Sequence, residues 1–179
     1  MKKDIRPKIL LLGLLACLSV GVTSAASPEW LEKMKQIRLL ESKRQDVVAL
    51  FGPAKPAGNA LIDTWGLVDG SLSAIYASGE CVAKTENGKT KLLGWRVPKD
   101  TVIEISFSLN KPVSPKKLGI DLSRLRGEQV RDQTGALYFD DETAGAFYYA
   151  VNGKITEVGF YPRTELDYLD CEPQSEGQR

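Results

Sequence analysis

The sequence predicts an α+β domain, an antiparallel sheet of two meander-like halves with short N-terminal helices packed on one face. Three observations predict it. From Thr101 to Leu109, Thr101, Ile103, Ile105, Phe107 and Leu109 alternate with Val102, Glu104, Ser106 and Ser108. One apolar and one mostly polar face at a period of two mark a half-buried antiparallel strand. Asn87-Gly88 and Asn152-Gly153 are two-residue hairpin signals. The stretch from Ser42 to Pro53 carries helix start and stop signals around an apolar stripe.

Taken in order, Ser27-Pro28-Glu29 reads as an N-cap, a first-turn proline and an acid at the positive end of the dipole. Trp30, Met34 and Ile37 follow at helical spacing, and Ile37 to Leu40 also suits a small strand. Ser42-Lys43-Arg44-Gln45 reads as a capping box, Val47, Val48, Leu50 and Phe51 as the buried stripe, and Gly52-Pro53 as the stop. The period then changes to two. Strands are expected at residues 61–67, with Trp65 inward, and 72–78, then 81–84 and 89–95 around Asn87-Gly88, then 101–109. Pro98 cannot donate to a ladder, so the last of these begins after it. Lys111 to Lys117, with two prolines, reads as a linker, and a short helix is expected after Asp121. Strands resume at 136–140, 146–152 and 154–161. The order Thr64-Trp65, Leu72 to Ala77, Val102 to Phe107 is echoed by Leu137 to Phe139, Ala146 to Ala150, Ile155 to Phe160, which suggests an internal duplication in one continuous sheet.

The totals narrow the function. The chain has 179 residues and no histidine. That length suits one domain with a sizeable core. The missing histidine removes Ser-His-Asp and Cys-His catalysis and every His-ligated metal site. Residues 1–25 read as a signal peptide: Lys2, Lys3, Arg6 and Lys8, an apolar run from Ile9 to Val22, and small residues from Thr23 to Ala26. A rival reading takes Leu14-Leu15-Ala16-Cys17 as a lipid box that would anchor the chain through Cys17, although Leu18, Val20 and Val22 prolong the apolar run past it.

Residues 26–171 are then the exported domain, periplasmic or extracellular, and residues 172–179 a polar tail. Removing residues 1–25 takes away four of 24 basic and one of 23 acidic residues, leaving 20 against 22 and a charge of −2. Such a balance gives no electrostatic reason to bind nucleic acid or anionic lipid. It also leaves Cys81 and Cys171, an even pair that in an exported chain is most simply a disulfide.

The run from Leu40 to Gly52-Pro53, followed by a meander, resembles the repeat of the β-lactamase-inhibitor-protein-like fold and the small outer-membrane lipoprotein of the β-barrel assembly machinery. That resemblance implies a capped helix ending in Gly-Pro on a three-stranded antiparallel sheet. The spacing Tyr76-x-x-x-x-Cys81, the run Gly94-Trp95-x-Val97-Pro98-x-Asp100-Thr101-Val102 and Tyr161-Pro162 ahead of Cys171 are similar to a group of exported bacterial proteins with no known activity.

No catalytic motif is present, and no cofactor or metal is expected. Asp140-Asp141-Glu142 could offer oxygens to calcium but lacks EF-hand spacing, and a hairpin turn accounts for it as well. Asp63, Glu104 and Asp140 are the carboxylates available to a glycoside hydrolase. Aromatics are the better candidates. In Phe147-Tyr148-Tyr149, Phe147 and Tyr149 share one face and Tyr148 takes the other. An exposed face bearing Tyr148 with Tyr76 or Trp95 would suit protein recognition, while most such aromatics belong in a core. Lys84 to Lys91 could form a basic hairpin contact or a solvated tip. The expectation is a non-enzymatic domain that binds another envelope or secreted protein. A carboxylate-based envelope hydrolase and a small-ligand carrier are the alternatives.

Overall fold

The computed structural model describes residues 27–171, apart from residues 57, 87–88, 164–165 and 167–168. The leader, Cys17, the Asn87-Gly88 turn and the polar tail therefore lie outside the described residues. Two helices open the fold, α1 (Glu29–Met34) and α2 (Arg44–Phe51). Strands follow as β1 (Lys55–Pro56), β2 (Ile62–Leu67), β3 (Gly70–Tyr76), β4 (Val82–Glu86), β5 (Lys89–Leu93) and β6 (Val102–Val113). After two 3-10 turns, Pro115–Leu118 and Leu122–Arg124, come β7 (Gly127–Gln129), β8 (Ala136–Asp141), β9 (Ala146–Val151) and β10 (Lys154–Phe160).

Among the described residues, eight strands form one sheet in the order β1-β2-β3-β6-β10-β9-β8-β7, and β4 and β5 pair apart from it. Every pairing is antiparallel. The predicted class holds. Each half is a three-strand meander, and the last strands of the two halves, β6 and β10, pair at the centre. A very short strand precedes each meander and closes an outer edge, β1 on β2 and β7 on β8, a device that limits edge-to-edge pairing.

The covered face is read directly from the register. Trp65, Leu72, Phe107, Val158, Tyr148 and Phe139 stand opposite one another across six strands and all belong to the main core. Trp30 of α1 lies flat on the Phe107 ring, centroids 4.0 Å apart, and Leu31, Met34 and Val47 complete the helical side of the core. The helices are fixed by backbone pairing as well as by grease. Leu40 and Arg44 donate N–H groups to the carbonyls of Val102 and Asp100, and Val102 donates to Ser42. The Trp65 indole donates to the Gly52 carbonyl, 2.8 Å, where the positive φ of 81° ends α2 as the Gly-Pro signal predicts.

Several local expectations are corrected. The N-cap of α2 is Lys43, not Ser42; Asp46 accepts from the Lys43 backbone N–H at 2.7 Å, and the Ser42 hydroxyl accepts from Arg38 instead. The residue before α1 is Pro28, so the proline sits one position earlier than the sequence suggests. Ile37 to Leu40 forms no strand; Leu39 and Leu40 are turn. The long strand β6 runs on to Val113, into the first residues of the segment expected to be linker, and a 3-10 turn from Pro115 follows it. Its alternation also breaks near the start. Ile75 pairs with Glu104 but Tyr76 with Val102, so Ile103 is an extra bulged residue and Val102 joins Ile105 in the core. Thr101, just before β6, is fully buried, its hydroxyl donating to Pro98 and accepting from the Lys43 ammonium.

The end of the sheet where β3 stops and β6 starts is closed by a smaller cluster. Leu40, Ala77 and Val97 are buried there, with Trp95, Ile103, Leu166 and Leu169 packed against them. Cys81 and Cys171 are disulfide-bonded, Cα atoms 5.6 Å apart, and Cys171 donates to the Gly94 carbonyl beside them. No helix of the described residues is long and apolar enough to cross a membrane.

Candidate functional site

The second face of the sheet differs in kind from the first. One row across it reads Gly66, Ser71, Ser108, Glu157, Tyr149, Tyr138, Glu128. The next reads Lys55, Thr64, Ser73, Ser106, Gly159, Phe147, Asp140. Small hydroxyl and glycine positions thus floor the β2, β3 and β6 half, and rings crowd the β8 to β10 half. None of the two helices' apolar residues packs here; the core they build lies on the opposite face.

The rings touch one another. Tyr138 lies 5.1 Å from Tyr149 and 6.0 Å from Phe147, centroid to centroid. Tyr149 stands edge-on to Phe147, 84° between planes, and Tyr161 just past β10 lies 6.5 Å from Phe147. All four side chains are half-buried. Phe147 is pinned by its neighbour. A β-carbon on Gly159 would come within 2.1 Å of the Phe147 ring tip, so the ring lies across the bare glycine on β10. Such cross-strand cover is how sheets compensate a glycine that has no side chain to pack.

Carboxylates border the rings. The Tyr161 hydroxyl donates to Asp140, and burial, followed by that contact, holds the phenol proton more tightly than usual. Burial, and then the charge of Glu157, raises the Glu104 carboxyl above the usual carboxylate range. Glu104 and Glu157 stand on adjacent strands, diagonally across the Ser106–Gly159 pair. Neither has a hydrogen-bond or ion-pair partner among the described residues.

The residues singled out from sequence fall elsewhere. Tyr76 is 1% exposed and Tyr148 8% exposed, both on the helix-covered face, and Trp95 is half-buried in the smaller cluster with its backbone bridged to Asp170. An exposed surface built from these three is therefore corrected: the strand pleat gives the open face to Phe147 and Tyr149, with Tyr138 and Tyr161 beside them. Asp140 and Asp141 point to opposite faces, so they do not converge with Glu142 on one ion. Asp63 is on the covered side, 3.3 Å from Arg44, away from Glu104 and Asp140.

Tyr148 does line a second feature. A cleft of about 640 Å³ opens on the covered face between α1, the 3-10 segment and β8 to β10. Leu118, Ile120 and Leu125 of the 3-10 segment form one wall, Val158 and Phe160 the floor, and Lys35, Arg124 and Asp141 sit around it. Burial, and then Asp141, raises the Tyr148 phenol. Comparison with known proteins finds no protein family, no curated protein and no solved structure that this chain matches.

Proposed function

We propose that this is an exported, non-enzymatic domain that docks another envelope or secreted protein on the open face of its sheet. The single observation that carries the reading is the contiguous patch of Tyr138, Phe147, Tyr149 and Tyr161, half-buried on a rigid sheet. Rigid aromatics held on strands give up little conformational entropy on binding, and they dominate the energetics of protein interfaces. The Cys81–Cys171 disulfide fits an oxidising compartment, which supports export to the periplasm or beyond. The likeness of the Leu40 to Pro53 stretch to fold groups of the cell envelope points the same way.

The test is a photoreactive side chain placed at Ser108, exposed on the open face, in extracts of the native envelope. Adducts should form from Ser108, disappear when Tyr149→Ser is added, and be absent from Glu29, which lies on the helix side. Equal labelling from both positions would remove the reading.

The cleft favours a second reading, carriage of a small apolar ligand between sheet and helical turns. An environment-sensitive apolar dye separates the two: Tyr148→Trp should block dye in the cleft and leave the Ser108 adducts intact.

A further inference from the structure

We propose that the partner presents a cation to this face: a lysine or arginine side chain of another polypeptide, seated on the side of the Phe147 ring turned away from Gly159, between Glu104 and Glu157. The inference rests on the reading of the open face as a docking surface and assigns that surface its chemistry.

Charge complementarity carries it first. Over β7 to β10 the two open-face rows contain Glu157, Glu128 and Asp140, and their basic residue, Lys55, stands at the far β1 edge with its ammonium over Gly66. The nearest arginine in sequence, Arg163, lays its methylene stem against the position of a Gly145 side chain at the β8–β9 turn. Asp140 already accepts from Tyr161. Glu104, penalised by burial and then by the charge of Glu157, has no ion-pair partner among the described residues. A positive group arriving between them removes that repulsion, and an anion would add to it.

The rings carry it second. The negative face of an aromatic ring attracts ammonium and guanidinium groups, most strongly where water is excluded. Phe147 offers a ring that cannot swing away, because its other side rests on Gly159. Tyr149, perpendicular to it, makes a wall on the β9 side, and Tyr161 extends the floor. The geometry is that of a shallow aromatic box whose open side is lined by carboxylates.

The floor carries it third. Ser71, Ser73, Ser106 and Ser108 keep the β3–β6 half of the face low. An extended segment can lie there, with serine hydroxyls available to its backbone, while a basic side chain reaches the box.

The probe is an oligolysine peptide, with an oligoglutamate peptide and a neutral serine-glycine peptide of the same length, titrated into the mature protein and followed by amide NMR shifts. Oligolysine should bind, weaken with added salt as exposed charge pairs do, and shift amides of β6, β9 and β10. The double variant Glu104→Gln with Glu157→Gln should weaken it by about tenfold or more, the scale of one good charge contact. Tyr149→Ser should weaken it without changing the salt slope. Glu29→Gln, on the helix side, should leave it unchanged. Equal binding of the neutral peptide, or full binding by the double variant, overturns the assignment. If oligolysine fails to bind while adducts from Ser108 persist, the cationic chemistry falls and the docking face stands. Loss of both removes the docking face itself.

Discussion

At position 159 a methyl group has nowhere to go. The Phe147 ring carbons lie 2.1 and 2.3 Å from where a β-carbon would sit. Gly159→Ala therefore has to lift the ring out of its contacts with Tyr138 and Tyr149, a forced overpacking that costs about 1–3 kcal/mol. The expected outcome is a lower urea midpoint, and a much smaller loss when the same change is made in a Phe147→Ala background. Additive losses would mean that the ring and the glycine do not share the space. Glu104 gives a second expectation. Its folded-state carboxyl holds a proton above the usual range because of burial and then Glu157. The native state thus keeps that proton to a higher pH than the unfolded chain does, so stability falls as pH rises through the window. Glu104→Gln should be more stable than the parent at neutral pH, and the gap should close as pH drops below about 4.3, the unfolded glutamate value. Unfolding curves of the two proteins across pH check it; a gap that persists at pH 3 would contradict it.

Arg44 is where three elements meet. It opens α2, and its guanidinium lies 3.3 Å from Asp63 on β2, 3.4 Å from Asp100 before β6, and 4.3 Å over the Tyr76 ring. It also donates to the Ala60 carbonyl. A planar fork can serve two carboxylates and a ring face together; an ammonium cannot. Arg44→Lys should therefore lose nearly as much as Arg44→Ala, about 1–3 kcal/mol for a partly exposed group whose partners are left unpaired. Denaturant unfolding of both variants checks this, and full recovery by lysine would show that charge alone mattered.

None of that meeting was legible in the sequence, because Arg44, Asp63 and Asp100 are brought together only by the pairing of residues 40–44 with 100–102. The strands were legible, since alternation is a property of each segment. The bulge at Ile103 was not: it belongs to the register between β3 and β6. Lys55-Pro56 is too short to carry an alternation of its own, and is a strand only because β2 presents it an edge. The aromatic site was half legible. The pleat separates Tyr148 from Phe147 and Tyr149, but which side faces out depends on where α1 and the 3-10 turns dock. A usable signal sat in the neighbouring strands. Ser73, Ser106 and Gly159 share a side with Phe147, while Leu72, Phe107 and Val158 share one with Tyr148.

Across the whole molecule, two bodies of apolar packing are held at different strengths. The main cluster contains residues of α1, α2 and both meanders, and its buried members include none from the β4–β5 hairpin or the segment after β10. The segment after β10 packs on the smaller cluster and is tied to the residues that flank the hairpin: Arg96 donates to Leu169, Cys171 to Gly94, and the Cys81–Cys171 disulfide spans 90 residues of sequence. The hairpin also leaves Val82, Leu92 and Leu93 about half exposed, so little burial opposes its departure. The link acts on two levels. In the unfolded chain it closes a long loop, worth at most about 4–5 kcal/mol of global stability. In the native state it ties the segment after β10 to the base of a hairpin whose described side chains are exposed, and weakly buried pieces open as local units. Reduction should therefore lower the global unfolding midpoint and also speed amide exchange in β4, β5 and residues 94–96 well before the sheet opens. The amides of β3, β6 and β10 should keep their protection under the same conditions. Exchange measured by mass spectrometry with and without reductant separates the two levels. If β4 and β5 exchange at the same rate in both, hydrogen bonds and the smaller cluster hold that end unaided, and the disulfide acts on the unfolded chain alone.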